Sequence, residues 1–402
     1  MEKADVVIVG AGPAGSSAAY FLAKQGVDVI LLEKNKLPRD KTCGDGIGPR
    51  SIAMLYKMGL GDWLKTGGYY RCDRARLFAP NGNYVEAGIP RADTPFPYFY
   101  IVPRMDFDHK LVETAEAAGS VVMTECKATS VVRSNGGVKG VTAIYRGEEV
   151  EIRAKALICA DGTSGTFSQK TGISVVKPHA IAARAYYSNV KGLDDCIDIY
   201  VDEHIPEGYA WIFPMAGGRA NIGLGISAPM LKKHDIDIRK LVDWFVTEKD
   251  TSPVDLSAAK QDCEVTGAWL RMGYGRHNTV ADGIIMVGDA AGLISPLTGE
   301  GIAYALESGE YAAAVMSSAL GKGDVSEQSL KAYQEHLNKN YYMDHRIYEI
   351  IRQTLSKNFL MNGFIGKGKR HSTLAHKFIS IMMGTAKPSE LLRPKMFKYF
   401  LF

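Results

Sequence analysis

The chain opens with two apolar runs on either side of a helical pattern. Val6 to Val9 form the first run, an alanine-rich segment follows up to Gly26, and a second apolar run ends at Glu33. Short apolar runs are typical of buried strands, whereas the segment between them has the length and composition of a helix. The pattern therefore predicts a β-α-β unit with two parallel strands.

Two later apolar runs end at paired glycine and aspartate residues. One is ALICADGTSG, which leads into Asp161-Gly162, and the other is GIIMVGDAAGLISPLTGEG, which leads into Gly288-Asp289. Other segments alternate polar and apolar residues, as in CIDIYVD and RANIGLGIS, and they predict antiparallel strands. From about residue 302 the pattern is helical.

The first turn of the predicted β-α-β unit has the sequence GAGPAG. Gly10 permits a tight turn, Gly12 lets the backbone approach a pyrophosphate, and Gly15 lets the helix and the strand pack closely. Phosphate charge would face the helix N-terminus, and Glu33 would accept a hydrogen bond from a ribose hydroxyl. These residues predict a dinucleotide site.

Together the three segments resemble the flavin-binding signature of the p-hydroxybenzoate hydroxylase-like flavoproteins. The resemblance implies FAD rather than NAD, with Asp161-Gly162 supporting the cofactor and Asp289 placed on its ribityl chain. PRMDFDHKL resembles that group's arginine-containing helix start, so Arg104 is a candidate flavin contact. We also expect cofactor contacts from residues within and beside these motifs: Ala14, Lys34, Cys43, Gly44, Gly288, Gly299, Gly301 and Ile302.

The implied fold class is α/β, with a Rossmann-like FAD-binding domain interleaved with an antiparallel-sheet substrate domain and followed by C-terminal helices. No linker or low-complexity tract separates the two domains along the chain. The predicted segments are 1–65, 100–175 and 275–320 for the FAD-binding domain, 66–99 and 176–274 for the substrate domain, and 321–402 for the helical region.

Composition and charge argue against several other classes of protein. The 402 residues carry a net charge of +4 without a long basic run, so nucleic acid is not an expected partner. Six scattered cysteines form no CxxC pair, and nine histidines show no metal-ligand spacing, so we expect reduced thiols and no metal. No run reaches the ~18 apolar residues of a spanning helix, and we expect a cytoplasmic protein.

Two short segments carry the candidate chemistry. Tyr209, Trp211 and Phe213 alternate along YAWIFP and therefore share one face of a strand, and Cys43 lies in the glycine-rich segment KTCGDG. They resemble the Y-x-W-x-F-P and C-G-x-G segments of the geranylgeranyl reductase family of flavoproteins. The segments PRDKTCGDGIGPRSIAMLYKMGLGDWL and PLTGEGIAYALESG further resemble bacterial members that saturate an isoprene unit of menaquinone.

This resemblance implies a FAD-dependent reductase that saturates carbon-carbon double bonds of a polyprenyl chain on a lipid or quinone. Such a bond is unpolarised, so a proton must create cation character before hydride from the flavin N5 can add. Cys43 is the candidate proton donor, or else a packing residue, and the rings of Tyr209 and Trp211 could stabilise the cation by cation–π attraction. Phe213 and Pro296 are further candidates for substrate contact.

Other functions of the same fold stay open on the sequence alone. Flavin-dependent halogenases carry a W-x-W-x-I-P segment, from which YAWIFP differs only at Tyr209 and Phe213, although no active-site lysine can be assigned. A monooxygenase and a non-catalytic electron carrier are further alternatives. The sequence contains no second GxGxxG, and we expect an external electron donor: NAD(P)H, a ferredoxin or a quinol.

The C-terminal segment 366–402 contains eight Lys or Arg residues against one acid, Glu390. Its apolar residues are Phe378, Ile379, Ile381, Met382, Met383, Leu391, Leu392, Met396, Phe397 and Phe400. That mixture suits an anionic lipid surface, which would place the protein on the inner face of the cell membrane. The alternative is that these apolar residues pack on the rest of the protein.

Overall fold

The computed structural model describes residues 2–134 and 137–393, which form three β-sheets and eleven α-helices. The strands are β1 (Lys3–Val9), β2 (Val29–Leu32), β3 (Gly46–Ile47), β4 (Tyr70–Cys72), β5 (Arg74–Phe78), β6 (Tyr84–Gly88), β7 (Phe99–Ile101), β8 (Val121–Met123), β9 (Cys126–Ser134), β10 (Gly137–Tyr145), β11 (Glu148–Cys159), β12 (Ala180–Ser188), β13 (Cys196–Tyr200), β14 (Tyr209–Met215), β15 (Arg219–Ser227), β16 (Lys260–Gln261), β17 (Thr266–Leu270), β18 (Val280–Ala281) and β19 (Ile284–Met286). The helices are α1 (Pro13–Ala23), α2 (Pro49–Lys57), α3 (Gly61–Thr66), α4 (Arg104–Ala117), α5 (Ala228–Lys233), α6 (Ile238–Thr247), α7 (Ile302–Gly321), α8 (Glu327–Asn340), α9 (Tyr342–Leu355), α10 (Asn358–Arg370) and α11 (Ser372–Met382). Short 3₁₀ turns cover Ser168–Lys170, Gly288–Ala291 and Pro388–Leu392.

The first sheet has a parallel core in the order β19-β11-β1-β2-β8, with the antiparallel strand β18 beside β19. A hairpin of β9 and β10 extends the long strand β11 at the opposite end from the loops that follow the parallel strands. Val6, Val7 and Ile8 are fully buried, because helices or other layers cover both faces of a parallel sheet. The predicted β-α-β unit is β1-α1-β2.

The second sheet has the order β16-β12-β15-β14-β13-β5-β6, with β17 also paired to β12. Its pairs are antiparallel except β5 with β13, which run parallel. A third, small sheet joins β3, β7 and β4. The predicted α/β fold class with an antiparallel sheet and C-terminal helices is confirmed, whereas the domain boundaries inferred from the sequence stay a proposal.

The C-terminal helices cover both sheets. Helix α7 packs along α1, where the Ser17 hydroxyl donates to the carbonyl of Leu306 at 2.7 Å. Helices α10 and α11 pack on the second sheet, with Phe378 and Ile379 buried in the same apolar cluster as Val85. In the part of the chain that the structure describes, no helix is both long and apolar enough to span a bilayer.

The apolar residues considered above for a lipid surface lie mainly inside the protein. Phe378, Ile379 and Ile381 are buried, and Met382 and Met383 are partly buried against the same cluster. Packing on the second sheet is therefore the interpretation that these five side chains support. Met396, Phe397 and Phe400 lie outside the described residues.

Candidate active site

A large cavity of about 1220 Å³ lies between the first and the second sheets. Its floor is made by the loops that follow β1, β2, β11 and β19, at the carboxyl ends of the parallel strands, where ligands bind in open α/β sheets. Its walls come from β12, β14, β15 and β17 of the second sheet and from helices α9 to α11.

The loop between β1 and α1 is built by close backbone contacts. Gly10 has φ +105°, and a Cβ atom there would lie 2.4 Å from the carbonyl oxygen of Ala160. A Cβ atom on Gly15 would lie 1.9 Å from the carbonyl oxygen of Gly10, so strand and helix approach closely only because both residues are glycines. Gly12 caps α1 without a side-chain hydrogen bond, and its backbone lines the cavity. The helix N-terminus therefore presents free N–H donors of the kind that bind phosphate.

Glu33 directly follows β2 beside this turn, and its side chain is almost fully buried. Its carboxylate accepts the backbone N–H of Asn35 at 3.0 Å and that of Ala11 at 3.4 Å. Arg39 lies 3.3 Å from the same carboxylate and pairs with Asp108 at 2.8 Å. Glu33 is thus fixed at the edge of the cavity, where a ribose hydroxyl is predicted.

The two aspartates of the later motifs have different environments. The Asp161 carboxylate accepts the backbone N–H groups of Phe167 and Ser168 at 2.9 and 3.0 Å, so its side chain closes its own loop. Asp289 lines the cavity, and one carboxylate oxygen lies 3.5 Å from the ammonium group of Lys41. Asp161 supports the shape of the floor, whereas Asp289 faces the space that the cofactor is predicted to fill.

Arg104 is buried at the start of α4. Its guanidinium binds both carboxylate oxygens of Asp108, one turn later, at 2.7 and 2.8 Å. Burial alone would raise the pKa of Asp108, but the paired guanidinium lowers it, so this carboxyl group stays charged. The same guanidinium faces the Cys43 thiol. Arg104 therefore connects α4 to the loop that carries Cys43.

The loop around Cys43 is anchored by the second sheet. The backbone carbonyl oxygen of Cys43 accepts hydrogen bonds from the Asn221 side-chain amide at 2.8 Å and from the Arg184 guanidinium at 3.3 Å. The Asn221 amide also donates to the carboxylate of Asp45 at 2.9 Å, and its oxygen accepts the Trp211 indole N–H at 2.9 Å. One buried amide thus fixes the thiol loop relative to the aromatic residues.

Tyr209, Trp211 and Phe213 form an aromatic wall on the cavity face of β14. Successive ring centroids are 6.1 Å apart, and the Tyr209 hydroxyl donates to the carbonyl of Thr298. The Cys43 loop lies against this wall, since a Cβ atom on Gly44 would come within 2.9 Å of the Phe213 ring. The thiol loop, the wall and the cofactor loops therefore line one space.

The electrostatics keep a proton on the thiol. Burial raises the pKa of Cys43; the Arg104 guanidinium partly opposes this, while the Asp45 carboxylate adds to it. Burial also raises the pKa of Tyr209 far above neutral pH. At physiological pH both side chains are protonated, and Cys43 is the more acidic kind of group.

The structure places nearly all of the predicted site residues on the cavity. The exceptions are Gly15 and Gly288, which pack behind it; a Cβ atom on Gly288 would lie 2.9 Å from the Ala14 side chain. Those on the cavity are Gly10, Gly12, Ala14, Glu33, Lys34, Cys43, Gly44, Arg104, Asp161, Gly162, Tyr209, Trp211, Phe213, Asp289, Pro296, Gly299, Gly301 and Ile302. Their individual roles stay predictions.

Sequence reasoning missed four residues that hold this site together: Asp45, Arg184, Tyr186 and Asn221. One signal in the sequence pointed to Asn221, because it is the lone amide in the apolar strand RANIGLGIS. A buried amide needs hydrogen-bond partners. Asp45 stood within the KTCGDG segment itself.

These loops fit FAD. Uncapped N–H donors at α1, a fixed carboxylate at the end of β2 and Asp289 on the third loop present complementary groups to pyrophosphate, ribose and ribityl hydroxyls along one cavity. Fold and cavity together define a FAD-dependent flavoprotein with the p-hydroxybenzoate hydroxylase-like fold.

Comparison with known proteins narrows this class. The FAD binding domain family matches residues 3–339. Menaquinone reductase of Mycobacterium tuberculosis is 33% identical over 324 residues, which are 79% of this chain and 77% of that protein. Digeranylgeranylglycerophospholipid reductase of Methanocella arvoryzae is 31% identical over 357 residues, 86% of this chain and 87% of that one. The crystal structure of a geranylgeranyl bacteriochlorophyll reductase-like protein from Thermoplasma acidophilum has a TM-score of 0.84 and 26% identity, covering 99% of this chain and 98% of that one. The chain belongs to the geranylgeranyl reductase family of FAD-dependent flavoproteins.

Proposed function

We propose that this protein is a FAD-dependent reductase that adds two hydrogen atoms across carbon-carbon double bonds of a polyprenyl chain on a lipid or quinone. The observation that carries the proposal is the meeting of a protonated thiol, Cys43, and an aromatic wall in the cavity that the FAD motifs line. Two relatives are named for a menaquinone and for a digeranylgeranyl glycerophospholipid, and these names support the same substrate class.

The residues of the site suit protonation of an alkene. Bound FAD, once reduced, supplies hydride. Cys43 holds a proton at its Sγ atom, and the apolar walls exclude water that would trap a cation. The faces of Tyr209 and Trp211 would stabilise developing positive charge, an attraction of about 2 kcal/mol or more in a desolvated site.

One end of the cavity matches a prenyl chain. It lies between the second sheet and helices α10 and α11, and its lining is apolar: Ile197, Ile199, Leu355, Met361, Phe378, Met382 and Met383. Methionine side chains adapt to irregular shapes, which suits a chain with methyl branches. Charged groups lie at another part of the lining, on α9, where Arg346, Glu349 and Arg352 are found. We assign the first region to the prenyl tail and the second to the polar head of the substrate.

We further propose that α9 and the start of α10 dock on an anionic bilayer. Met343, Ile350 and Phe359 are the three most exposed large apolar side chains among the described residues, with 58%, 59% and 72% of their surface accessible. The cations Arg346 and Lys357 are exposed among them, and Arg346 also lines the cavity. A bilayer is the source of polyprenyl lipids, so a docking face beside the cavity would shorten their transfer. The electron donor in this proposal is external: NAD(P)H, a ferredoxin or a quinol.

Turnover with defined lipids tests the function. The dithionite-reduced protein is incubated separately with a menaquinone, a digeranylgeranyl glycerophospholipid and geranylgeranyl diphosphate, and the products are analysed by mass spectrometry. Saturation adds about 2 mass units per double bond, because one proton and one hydride are added. In deuterium oxide both added hydrogens should be deuterium, because dithionite supplies only electrons and the N5 hydrogen of the reduced flavin also comes from solvent. Products carrying oxygen or halogen would contradict the proposal, as would reduced flavin that passes electrons only to another protein.

A further inference from the structure

Asp45 is a buried carboxyl group directly behind the thiol loop. Its side chain has no exposed surface. One carboxylate oxygen accepts the Tyr186 hydroxyl at 2.7 Å and the Asn221 amide at 2.9 Å. The other oxygen, Oδ1, is buried with no hydrogen-bond partner among the described residues. An unpartnered buried carboxylate oxygen is costly, and protonation is one way to lower that cost.

The backbone at Asp45 also departs from ordinary preference. Its φ is +65°, in the left-handed region that favours glycine, although glycines stand on both sides of it. Strain of this kind persists where the surroundings fix a residue for a purpose. With this backbone conformation the Asp45 N–H points toward the Cys43 sulfur, and the charge of the carboxyl group acts on the same thiol.

Charged and titratable groups face Asp45 from each element around it. Tyr186 and Arg184 lie on β12, Arg104 lies on α4, and Cys43 lies two residues earlier on the loop; the neighbour from β15, Asn221, is neutral. Burial raises the pKa of Asp45 to about 6, although the hydrogen bonds and the two guanidinium groups oppose the shift. The carboxyl group therefore changes charge close to physiological pH.

We propose that Asp45 is a positioning residue whose charge governs how readily Cys43 gives up its proton in each saturation step. This inference rests on the proposed function. In that step the Sγ–H bond of Cys43 breaks and its proton goes to one alkene carbon, while the other carbon receives the hydride supplied by the reduced cofactor. The thiolate then regains a proton from solvent, and an ionised Asp45 favours that return because its negative charge opposes the thiolate. Each double bond consumes one solvent proton and one hydride.

Alkylation of Cys43 by iodoacetamide tests the coupling without any substrate, using the full-length FAD-bound protein and peptide mass spectrometry. Above pH 6 the ionised Asp45 opposes the thiolate, so Asp45→Asn should alkylate about ten-fold faster at pH 8, the effect of about one pKa unit. At pH 5 Asp45 is already neutral in the wild type, and the two rates should agree. The thiolate absorbance at 240 nm, taken as a difference from Cys43→Ser, provides the same titration without a reagent.

Two further variants complete the test. Tyr186→Phe keeps the charge but removes a hydrogen bond that lowers the pKa of Asp45, so the pH at which alkylation changes should move upward. Asp40→Asn removes a carboxylate from the same loop whose side chain is 40% exposed and paired with Arg184, but it keeps Asp45, so the pH-dependent change in alkylation should persist. If the ratio of the Cys43 alkylation rates of Asp45→Asn and wild type does not vary with pH, the proposal is overturned. Alkylation of Cys43 needs no lipid, so its outcome is independent of the saturation assay. Failure to saturate prenyl chains would contradict the proposed function instead.

Discussion

At the residue scale, the geometry of the site depends on Asn221, a side chain that does not line the cavity. Asn221 joins the carbonyl of Cys43, the carboxylate of Asp45 and the indole of Trp211 through hydrogen bonds of 2.8 to 2.9 Å. Asp45 and Trp211 are buried, so the amide holds the thiol loop and the aromatic ring in a fixed relation. This is the preorganisation that a short-lived cation requires.

Replacing Cys43 with serine should separate cofactor chemistry from substrate chemistry. The variant should bind FAD and accept electrons normally, because the FAD loops are untouched. Prenyl saturation should slow by about 10²- to 10⁴-fold, the usual contribution of a positioned general acid. Stopped-flow flavin reduction and product mass analysis measure the two steps. A normal saturation rate would make Cys43 a packing residue, with the proton coming from water or from Tyr209.

The burial of Asp45 predicts a pH-dependent stability. Its pKa rises from 3.8 to about 6 in the folded protein, so the folded state binds this proton more tightly than the unfolded state does. The associated stabilisation is present below pH 3.8 and is lost as pH rises through about 6. Asp45→Asn cannot ionise, so relative to wild type its free energy of unfolding should increase by about 2.4 kcal/mol between pH 4 and pH 8. Denaturant titrations at the two pH values measure this; an equal difference at both would show that Asp45 has an ordinary pKa.

At the element scale, β14 presents its aromatic side chains to the substrate as one surface. Trp211→Leu keeps an apolar wall but removes the π face, so turnover should fall more than lipid affinity does. Trp211→Phe is the matched control, because it also loses the hydrogen bond to Asn221 but keeps an aromatic face. We expect phenylalanine to retain most of the turnover that leucine loses. Equal losses in both variants would assign the effect to the missing hydrogen bond.

The loop after β19 should contribute measurably to cofactor affinity. Asp289→Ala removes the carboxylate that faces the cavity and should weaken FAD binding by roughly 5- to 150-fold, corresponding to about 1–3 kcal/mol for a lost buried hydrogen bond. Lys41→Met is the control, since it removes only the partner ammonium at 3.5 Å. Flavin fluorescence on dilution measures both, and the flavin released on denaturation should be FAD rather than FMN. Unchanged affinity in Asp289→Ala would remove this residue from the cofactor set.

At the scale of the whole molecule, the docking face on α9 and α10 predicts salt-sensitive membrane binding. Wild type should co-sediment with vesicles containing anionic phosphatidylglycerol and much less with neutral vesicles or at high salt. Ile350→Glu with Phe359→Glu should abolish binding and leave FAD content unchanged. Removal of residues 394–402 tests the alternative surface at the C-terminus. Loss of binding in that truncation alone would move the docking site away from α9.

Sequence patterns predicted those parts of the molecule that depend on neighbouring residues. The turn at Gly10, the strand that ends at Glu33 and the alternation along β14 are local, and each pattern has one simple physical explanation. The anchors of the thiol loop are not local: Asn221 bonds to a residue 178 positions earlier, and Tyr186 to one 141 positions earlier. Such pairs depend on how the two sheets meet, and no periodicity in a single sequence specifies that.

The central place of β1 in the first sheet has a consequence for synthesis of the chain. Lys3–Val9 leaves the ribosome well before its second neighbour, β11, which ends only at Cys159. At 5–20 residues per second, a nascent chain waits about 8 to 30 seconds with one edge of an apolar strand unpaired. Exposed strand edges of this kind recruit other chains. Yield of the active protein should therefore depend on chaperone supply and on growth temperature more than the stability of the finished fold would suggest.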